Sequence, residues 1–245
     1  MNVKLLAHTQ LSREFLLALE DELFGLIFRE VVSESAVVAL SAIRTCYSPN
    51  LPSEIANLEG KKYFGAEASD GGGGSDADRL FRHIVRSGHT STTEHINYTF
   101  AVEGVSRALL AQLTRHRHIS FSVQSQRYVR FGSGDKSGGF EYADVPSIAT
   151  KDADSIYSEA MDFAQLTYDK LRAAGVPAED ARMVLPNGAT TNLVMTANLR
   201  TLLEFYKKRK KGNGAQWEIA ELADKLRDEV VAVDPWTAQF FDEIQ

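Results

Sequence analysis

Two periodicities run through this chain. Residues 14–28 (EFLLALEDELFGLIF) and 36–43 (AVVALSAI) carry apolar side chains at helical spacing. Val105, Leu109, Leu110 and Leu113 repeat it over 104–114, so a helix is predicted to end just before Arg115. Residues 155–174 predict a strong amphipathic helix with Ile156, Ala160, Phe163, Ala164, Thr167 and Leu171 as its buried stripe. Gly175 suits its stop, and Pro177 opens a short helix that carries Arg182. Asn198 caps the following helix, whose stripe is Leu199, Leu202, Leu203 and Tyr206. A last helix, 216–231, buries Ile219, Leu222, Ala223, Leu226 and Val230.

Elsewhere the period is two. Ile96, Tyr98, Phe100 and Val102 face one way and Asn97 and Thr99 the other, which predicts a half-buried strand over His95–Val102. The segment TTNLVMT reads as another strand. Ile119, Phe121, Val123, Val129 and Phe131 also alternate. If that segment is extended throughout, Ser125 and Arg127 share a side, and a hydroxyl and a guanidinium converge on one small anion. Two glycine-rich stretches, within 60–78 and 132–139, predict flexible loops. The first holds Gly71–Gly74 but lacks the glycine spacing of a dinucleotide fingerprint. Strands and helices follow no regular βαβ rhythm. The fold class is therefore α+β: a mixed or antiparallel sheet with packed helices in a single domain over 1–245.

Composition narrows this picture modestly. A chain of 245 residues, 44% apolar, buries a full core without staples. Its one cysteine, Cys46, excludes an intramolecular disulfide framework and reads as a buried small residue. The amino-terminal segment lacks a signal-peptide pattern, and no apolar run approaches the roughly 20 residues of a membrane span. The sequence predicts a cytoplasmic protein with no membrane partner. A net charge of −6 argues against general nucleic-acid binding.

Within this acidic chain stands a cation cluster, RHRHISFSVQSQRYVRF. Arg115, His116 and Arg117 are consecutive, and Ser125, Gln126 and Arg127 follow. Guanidinium groups pair in fork geometry with phosphates and carboxylates, so the cluster is a candidate anion site. A solvated helix end beside the negative pole of the helix dipole is the plainer reading of the residues alone. A second run, Lys207–Lys211, contains Arg209, which helical steps place at the edge of the buried stripe. With the first cluster it supports an alternative: a nucleotide- or nucleic-acid-binding regulator.

Arg115-His116-Arg117, seven residues, then Ser125-Gln126-Arg127 resembles the signature of flavin-dependent thymidylate synthases. Other blocks similar to that family follow in its order: VKLLAHT, RTCYS, SGHTSTTEHINYTF, ARMVLP, NLRTLLEF and AQWEIAELA. The resemblance implies an α+β homotetramer with active sites shared between subunits. It implies methylation of dUMP to dTMP in dTMP biosynthesis, with 5,10-methylenetetrahydrofolate, NADPH and bound FAD, and no metal. It assigns FAD contacts to His89, Ser91, Arg115, His116, Arg117, Asn198 and Arg200. It assigns dUMP binding to Gln112, Arg115, Ser125, Gln126, Arg127, Arg182 and Arg209. Arg209 carries the catalytic role as well, favouring loss of the uracil N3 proton.

Three positions depart from the family pattern. Val123 stands where many relatives carry an acidic or amide side chain, and Gln124 is the neighbour able to substitute. Glu204 stands where many have Asn or His facing the flavin, so its carboxylate is expected to point away. Gly214 replaces a frequent histidine. Val123 and Glu204 motivate a further alternative, a member that retains FAD without methyl transfer.

Overall fold

The computed structural model of the chain describes residues 1–243. Strands β1 (Asn2–His8), β2 (Asn97–Ser106), β3 (Ser120–Val123) and β4 (Thr190–Asn198) form a small antiparallel sheet in the order β1-β2-β4-β3. Many helices accompany this small sheet, which is the α+β class that the patterning predicts. The chain divides into two compact units. One holds Met1–Val3 and Ala101–Met195, the other Lys4–Phe100 and the chain from Thr196 onward.

The second strand runs four residues beyond the predicted end. Tyr98, Phe100 and Val102 are buried in alternation, but the next buried positions are Val105 and Ser106. Gly104, at φ +66, sits at the change of phase, as glycine does in a β-bulge.

In the unit that contains Tyr98, the predicted stripes of 199–206 and 216–231 are buried, and the helices Leu199–Arg209 and Trp217–Val233 pack together. Past the second of these, Asp234 is wholly buried. It accepts hydrogen bonds from Tyr98 Oη at 2.7 Å, from Ser35 Oγ, and from Trp236 Nε1 at 3.3 Å. Burial, then the Asp234 charge, pushes the Tyr98 hydroxyl well above its ordinary value.

The predicted helix over 14–28 is two helices, Arg13–Leu17 and Asp21–Phe28, broken by the extended residue Glu20. The break lets Leu19 and Leu23 face inward and leaves Leu17 and Phe28 exposed. Leu23 explains a helix that the pattern concealed. In Ile55–Gly65, a Cβ at Gly60 would stand 2.8 Å from Leu23 Cδ2, so any larger residue would push the buried Leu23 side chain aside. Glycine inside a helix weakens its signal in sequence.

The Gly71–Gly74 run closes over a buried arginine. Arg82 is 3% exposed and donates to both Asp70 oxygens, at 2.9 and 2.6 Å, and to the Gly73 carbonyl at 3.2 Å. A Cβ at Gly72 would lie 2.7 Å from the guanidinium. The run ends in Ser75, whose side chain forms a capping box with Asp78.

In the other unit, the Asp154–Ala173 helix turns a different face inward from the one the apolar spacing predicts. Met161 and Tyr168 are buried, whereas Ile156 is 73% and Phe163 is 69% exposed. The reason is backbone satisfaction. Gln165 donates to the Phe131 carbonyl and accepts from the Phe140 amide, both at 2.9 Å. Tyr168 Oη accepts from the Phe131 amide at 3.2 Å, and Asp169 Oδ1 from the Ser133 amide at 3.0 Å. The second glycine-rich stretch thus takes its partners from one polar-apolar helix face, and that face packs against it. Phe131, Tyr168 and Ala181 form the resulting core.

Asp70 supplies a test. The Arg82 hydrogen bonds, helped by the Gly72 amide, lower its carboxyl from 3.8 to about 2. A depressed carboxylate stabilises the folded state above its unfolded value and loses that contribution as pH falls through the folded value. The stability difference between the wild type and Asp70→Asn, measured by urea unfolding, should be constant from about pH 7 to about pH 5, shrink below about pH 4 and lose most of its pH-dependent part by about pH 2.

Candidate active site

The cation cluster begins where a helix fixed at its other end runs out. In Arg107–Leu113, Ser106 Oγ accepts from the Leu109 amide at 2.9 Å. The Arg107 and Ala108 amides donate to the carbonyls of Ala189 and Asn187, each at 3.0 Å. Thr114 is the C-cap, and the His116 amide donates to the Leu113 carbonyl at 3.0 Å. Arg115 and Arg117 are exposed at this negative helix pole, whereas Gln112 and His116 are half-buried.

Strand β3 is much shorter than the predicted extended segment. It ends at Val123, and Gln124 is the last residue bonded to β4, through its amide to Asn192 O at 2.8 Å. The chain then turns: Val129 N–H donates to Ser125 O at 2.9 Å, and Arg127 N–H to Ser125 Oγ at 3.2 Å. Ser125 and Arg127 are therefore not on one side of a strand. Serine offers its own backbone a local acceptor, which favours the turn over continued extension. Gln126 becomes buried, and Arg127 projects outward.

Glu179 brings two candidate arginines together. Its carboxylate accepts from Arg127 Nε at 3.0 Å, and its carbonyl accepts from Arg182 Nε at 2.9 Å. Burial, then the charge of Arg182, lowers the Arg107 guanidinium from its ordinary value. Sequence reasoning missed both Glu179 and Arg107. Glu179 had a faint signal, an acidic residue in the first turn after Pro177, which suits a helix start.

In the other unit, His89, Ser91, Asn198 and Arg200 lie on two adjoining elements. His89 opens the 3-10 turn Thr90–His95, and Tyr47 Oη lies 3.0 Å from His89 Nδ1. Ser91 is exposed on that turn. Asn198 caps the Leu199–Arg209 helix as predicted, its Oδ1 accepting from the Thr201 amide at 2.9 Å. Arg200 donates to Glu94 Oε1 at 2.6 Å and to Glu204 Oε1 at 3.2 Å. Those two bonds, Glu94 first, raise the guanidinium above its ordinary value. Glu204 points to its helix neighbour Arg200. Arg209 ends the helix half-buried while Lys207 and Lys208 are exposed, in agreement with its place at the stripe edge.

The arrangement offers donors. Arg115, Arg117, Arg127 and Arg182 suit a phosphate. The Asn198 amide, the Ser91 hydroxyl, His89 and Arg200 suit a group rich in carbonyl and ring-nitrogen acceptors. Among the described residues, no group of three or more His, Cys, Asp or Glu is placed to hold a metal. No helix of the described residues is long and apolar enough to cross a membrane. A cavity of about 750 Å³ is lined in part by His8, Glu34, Asp78, Phe81 and Trp236. None of the candidate residues borders it, and cavity size alone is a poorer guide here than convergent polar chemistry.

Comparison with known proteins bears on these groups. A family profile described as thymidylate synthase complementing protein matches residues 30–236. A Clostridium tetani protein named flavin-dependent thymidylate synthase is 36% identical over 216 residues, or 81% of this chain and 78% of that one. Among solved structures, a UMP/dUMP methylase, PolB from Streptomyces cacaoi bound with 5-Br dUMP, superposes with a TM-score of 0.69. That match covers 98% of this chain and 94% of PolB at 22% identity. The flavin-dependent thymidylate synthase ThyX of Helicobacter pylori, complexed with FAD and dUMP, gives a TM-score of 0.65 at 22% identity over 100% and 99% of the two chains. At that identity the two structures speak to the fold.

Asn198 has a structural duty that can be measured separately from any ligand. Asn198→Ala should cost about 1 kcal/mol in denaturant unfolding of the ligand-free protein, because the Thr201 amide loses its acceptor. Asn198→Asp keeps an acceptor and should cost little.

Proposed function

Because this chain belongs to the flavin-dependent thymidylate synthase family, we propose the following division of labour among its residues and ligands. The protein is an FAD-dependent thymidylate synthase that converts dUMP to dTMP. The one-carbon unit comes from 5,10-methylenetetrahydrofolate and the reducing equivalents from NADPH. Bound FAD, once reduced, supplies the hydride. The observation that carries this reading is the cation run Arg115–Arg117 followed by the Ser125–Arg127 turn, both inside the matched region.

Ser125, Gln126, Arg127 and Arg182 hold the dUMP phosphate, with Gln112 and Arg115 near the nucleotide. A turn that carries one guanidinium and lies across Glu179 from a second suits a phosphate dianion. The Arg127–Glu179 pair is about half exposed, so a phosphate can replace the carboxylate at small cost. Arg209 stands beside the uracil and favours loss of its N3 proton, as a fixed cation does next to a developing anion.

The donor set of the other unit fits FAD. Asn198 has committed its carbonyl oxygen to the helix cap, which leaves its amide hydrogens for a ligand. Ser91, His89 and Arg200 add donors, and the family resemblance assigns flavin contacts to Arg115, His116 and Arg117 as well. Glu94 and Glu204 reduce the positive field around Arg200.

The protein assembles as a homotetramer with sites shared between subunits. The exposed apolar face of Ile156, Phe163 and Leu166 supports burial against another chain.

Purified protein should be yellow or become so with FAD, and flavin absorbance should respond to dUMP and methylenetetrahydrofolate. A protein with no flavin absorbance even after FAD addition contradicts the reading. NADPH oxidation without dTMP formation would mark a member that has lost methyl transfer.

Arg127→Ala should weaken dUMP about tenfold or more while leaving FAD retention nearly unchanged, as measured by dUMP titration of the FAD-loaded enzyme. Arg209→Ala should abolish dTMP formation with a much smaller effect on FAD retention. Equal loss of both would assign the residue to the wrong ligand.

A further inference from the structure

Tyr47 lies in the RTCYS segment, and none of the roles described so far uses it. Its phenol meets the His89 ring edge-on, with centroids 6.1 Å apart, planes at 87° and Oη 3.0 Å from Nδ1. We infer that Tyr47 is a positioning residue: its hydroxyl donates to His89 Nδ1, fixes the ring, and leaves the Nε2 proton as the donor offered to the flavin site. The inference rests on the proposed place of His89 beside the flavin.

Both ends of this contact are built. Tyr47 follows the helix Glu34–Thr45, and its amide donates to Arg44 O at 2.8 Å. On either side of it, Arg44 and Ser48 are tied to one buried carboxylate, Glu59, which also accepts from Asn50. Burial alone would raise the Glu59 carboxyl, but the bonds from Ser48, Arg44 and Asn50 outweigh it and lower the carboxyl overall. Glu59 therefore stays charged and holds the segment that carries Tyr47. His89 is held as firmly through its backbone. Its amide donates to Ile84 O at 3.2 Å, its carbonyl accepts from Thr92 Oγ1 at 3.2 Å, and Gly88 precedes it at φ +80. Backbone restraint leaves the imidazole free to rotate about its side-chain bonds. The phenol is the group that stops that rotation.

The direction of the bond follows from donor chemistry. A neutral imidazole has one N–H and one bare nitrogen, and the partner of one decides the other. A phenol is a good donor and a poor acceptor, because its oxygen lone pair is shared with the ring. Bonded to Tyr47, Nδ1 is the bare nitrogen and Nε2 carries the proton. His89 Nε2 has no hydrogen-bond partner among the described residues, so this proton remains available to a ligand.

The test uses FAD-loaded enzyme labelled with 15N-histidine. Six histidines give a tractable spectrum, and His89→Gln identifies the His89 signals by their loss. At a pH where histidine is neutral, wild-type His89 should show a protonated Nε2 and a hydrogen-bonded, unprotonated Nδ1. Tyr47→Phe should move Nδ1 to the position of an unbonded nitrogen and slow flavin reduction by NADPH roughly two- to tenfold. The ratio of FAD to protein should be unchanged. Tyr47→Phe/His89→Gln should reduce no more slowly than His89→Gln alone. Unchanged His89 signals in Tyr47→Phe, or additive losses in the double variant, would overturn the inference. If His89→Gln reduces at the wild-type rate, the placement of His89 by the flavin is what fails, and with it the functional half of the inference. The nitrogen shifts still decide the hydrogen bond.

Discussion

Pairing of guanidinium with carboxylate sorts the arginines of this protein into two kinds. Arg44 with Glu59 and Arg82 with Asp70 are pairs in which the arginine or its partner is buried and further hydrogen bonds complete the set. Removing the carboxylate of such a pair leaves a largely enclosed guanidinium without its partner, so these contacts are structural. Arg127 with Glu179, and Arg200 with Glu94 and Glu204, are about half exposed on both sides. Exposed pairs contribute about 0–1 kcal/mol. An anionic ligand can replace those carboxylates without disturbing the fold, and a guanidinium held by one until then does not stray.

Short-range side-chain hydrogen bonds set the direction in which each functional group points. Ser106 secures the helix that ends in Arg115–Arg117, Ser125 makes the turn that releases Arg127, and Asn198 starts the helix that carries Arg200 and Arg209. The backbone near each of these residues is satisfied locally, and that fixes where the arginine side chains start. The Tyr47–His89 contact extends the same logic to a ring, because the bonds of the His89 main chain do not reach its two imidazole nitrogens.

The departures from the family pattern take on a physical shape in this frame. Val123 closes strand β3 with an apolar side chain, and Gln124 beside it uses its Oε1 on Asn192 Nδ2 at 3.2 Å. Glu204 takes the i+4 position from Arg200 and shares that guanidinium with Glu94. The Glu94 and Glu204 carboxylates together offset the Arg200 cation.

Burial imposes a period, so the stripes over 199–206 and 219–230, the alternation from Ile96 to Val102 and the cap at Asn198 were all legible in the amino-acid order. Residue type and close spacing likewise made Arg115–Arg117 and Ser125–Arg127 legible as a cluster of cationic and polar side chains. The inward face of the Asp154–Ala173 helix was not legible. Its apolar residues could serve two faces, and unpaired amides in a loop more than twenty residues away chose between them. The turn at Ser125 was hidden because local side-chain bonding overrides alternation. The partners of the site residues were hidden for a different reason: Glu179 lies 52 residues from Arg127, Glu94 lies 106 from Arg200, and Tyr47 lies 42 from His89. The order of residues determines which groups are charged and which faces are greasy. Which carboxylate meets which cation depends on the path of the chain through space, and only the tertiary structure decides it.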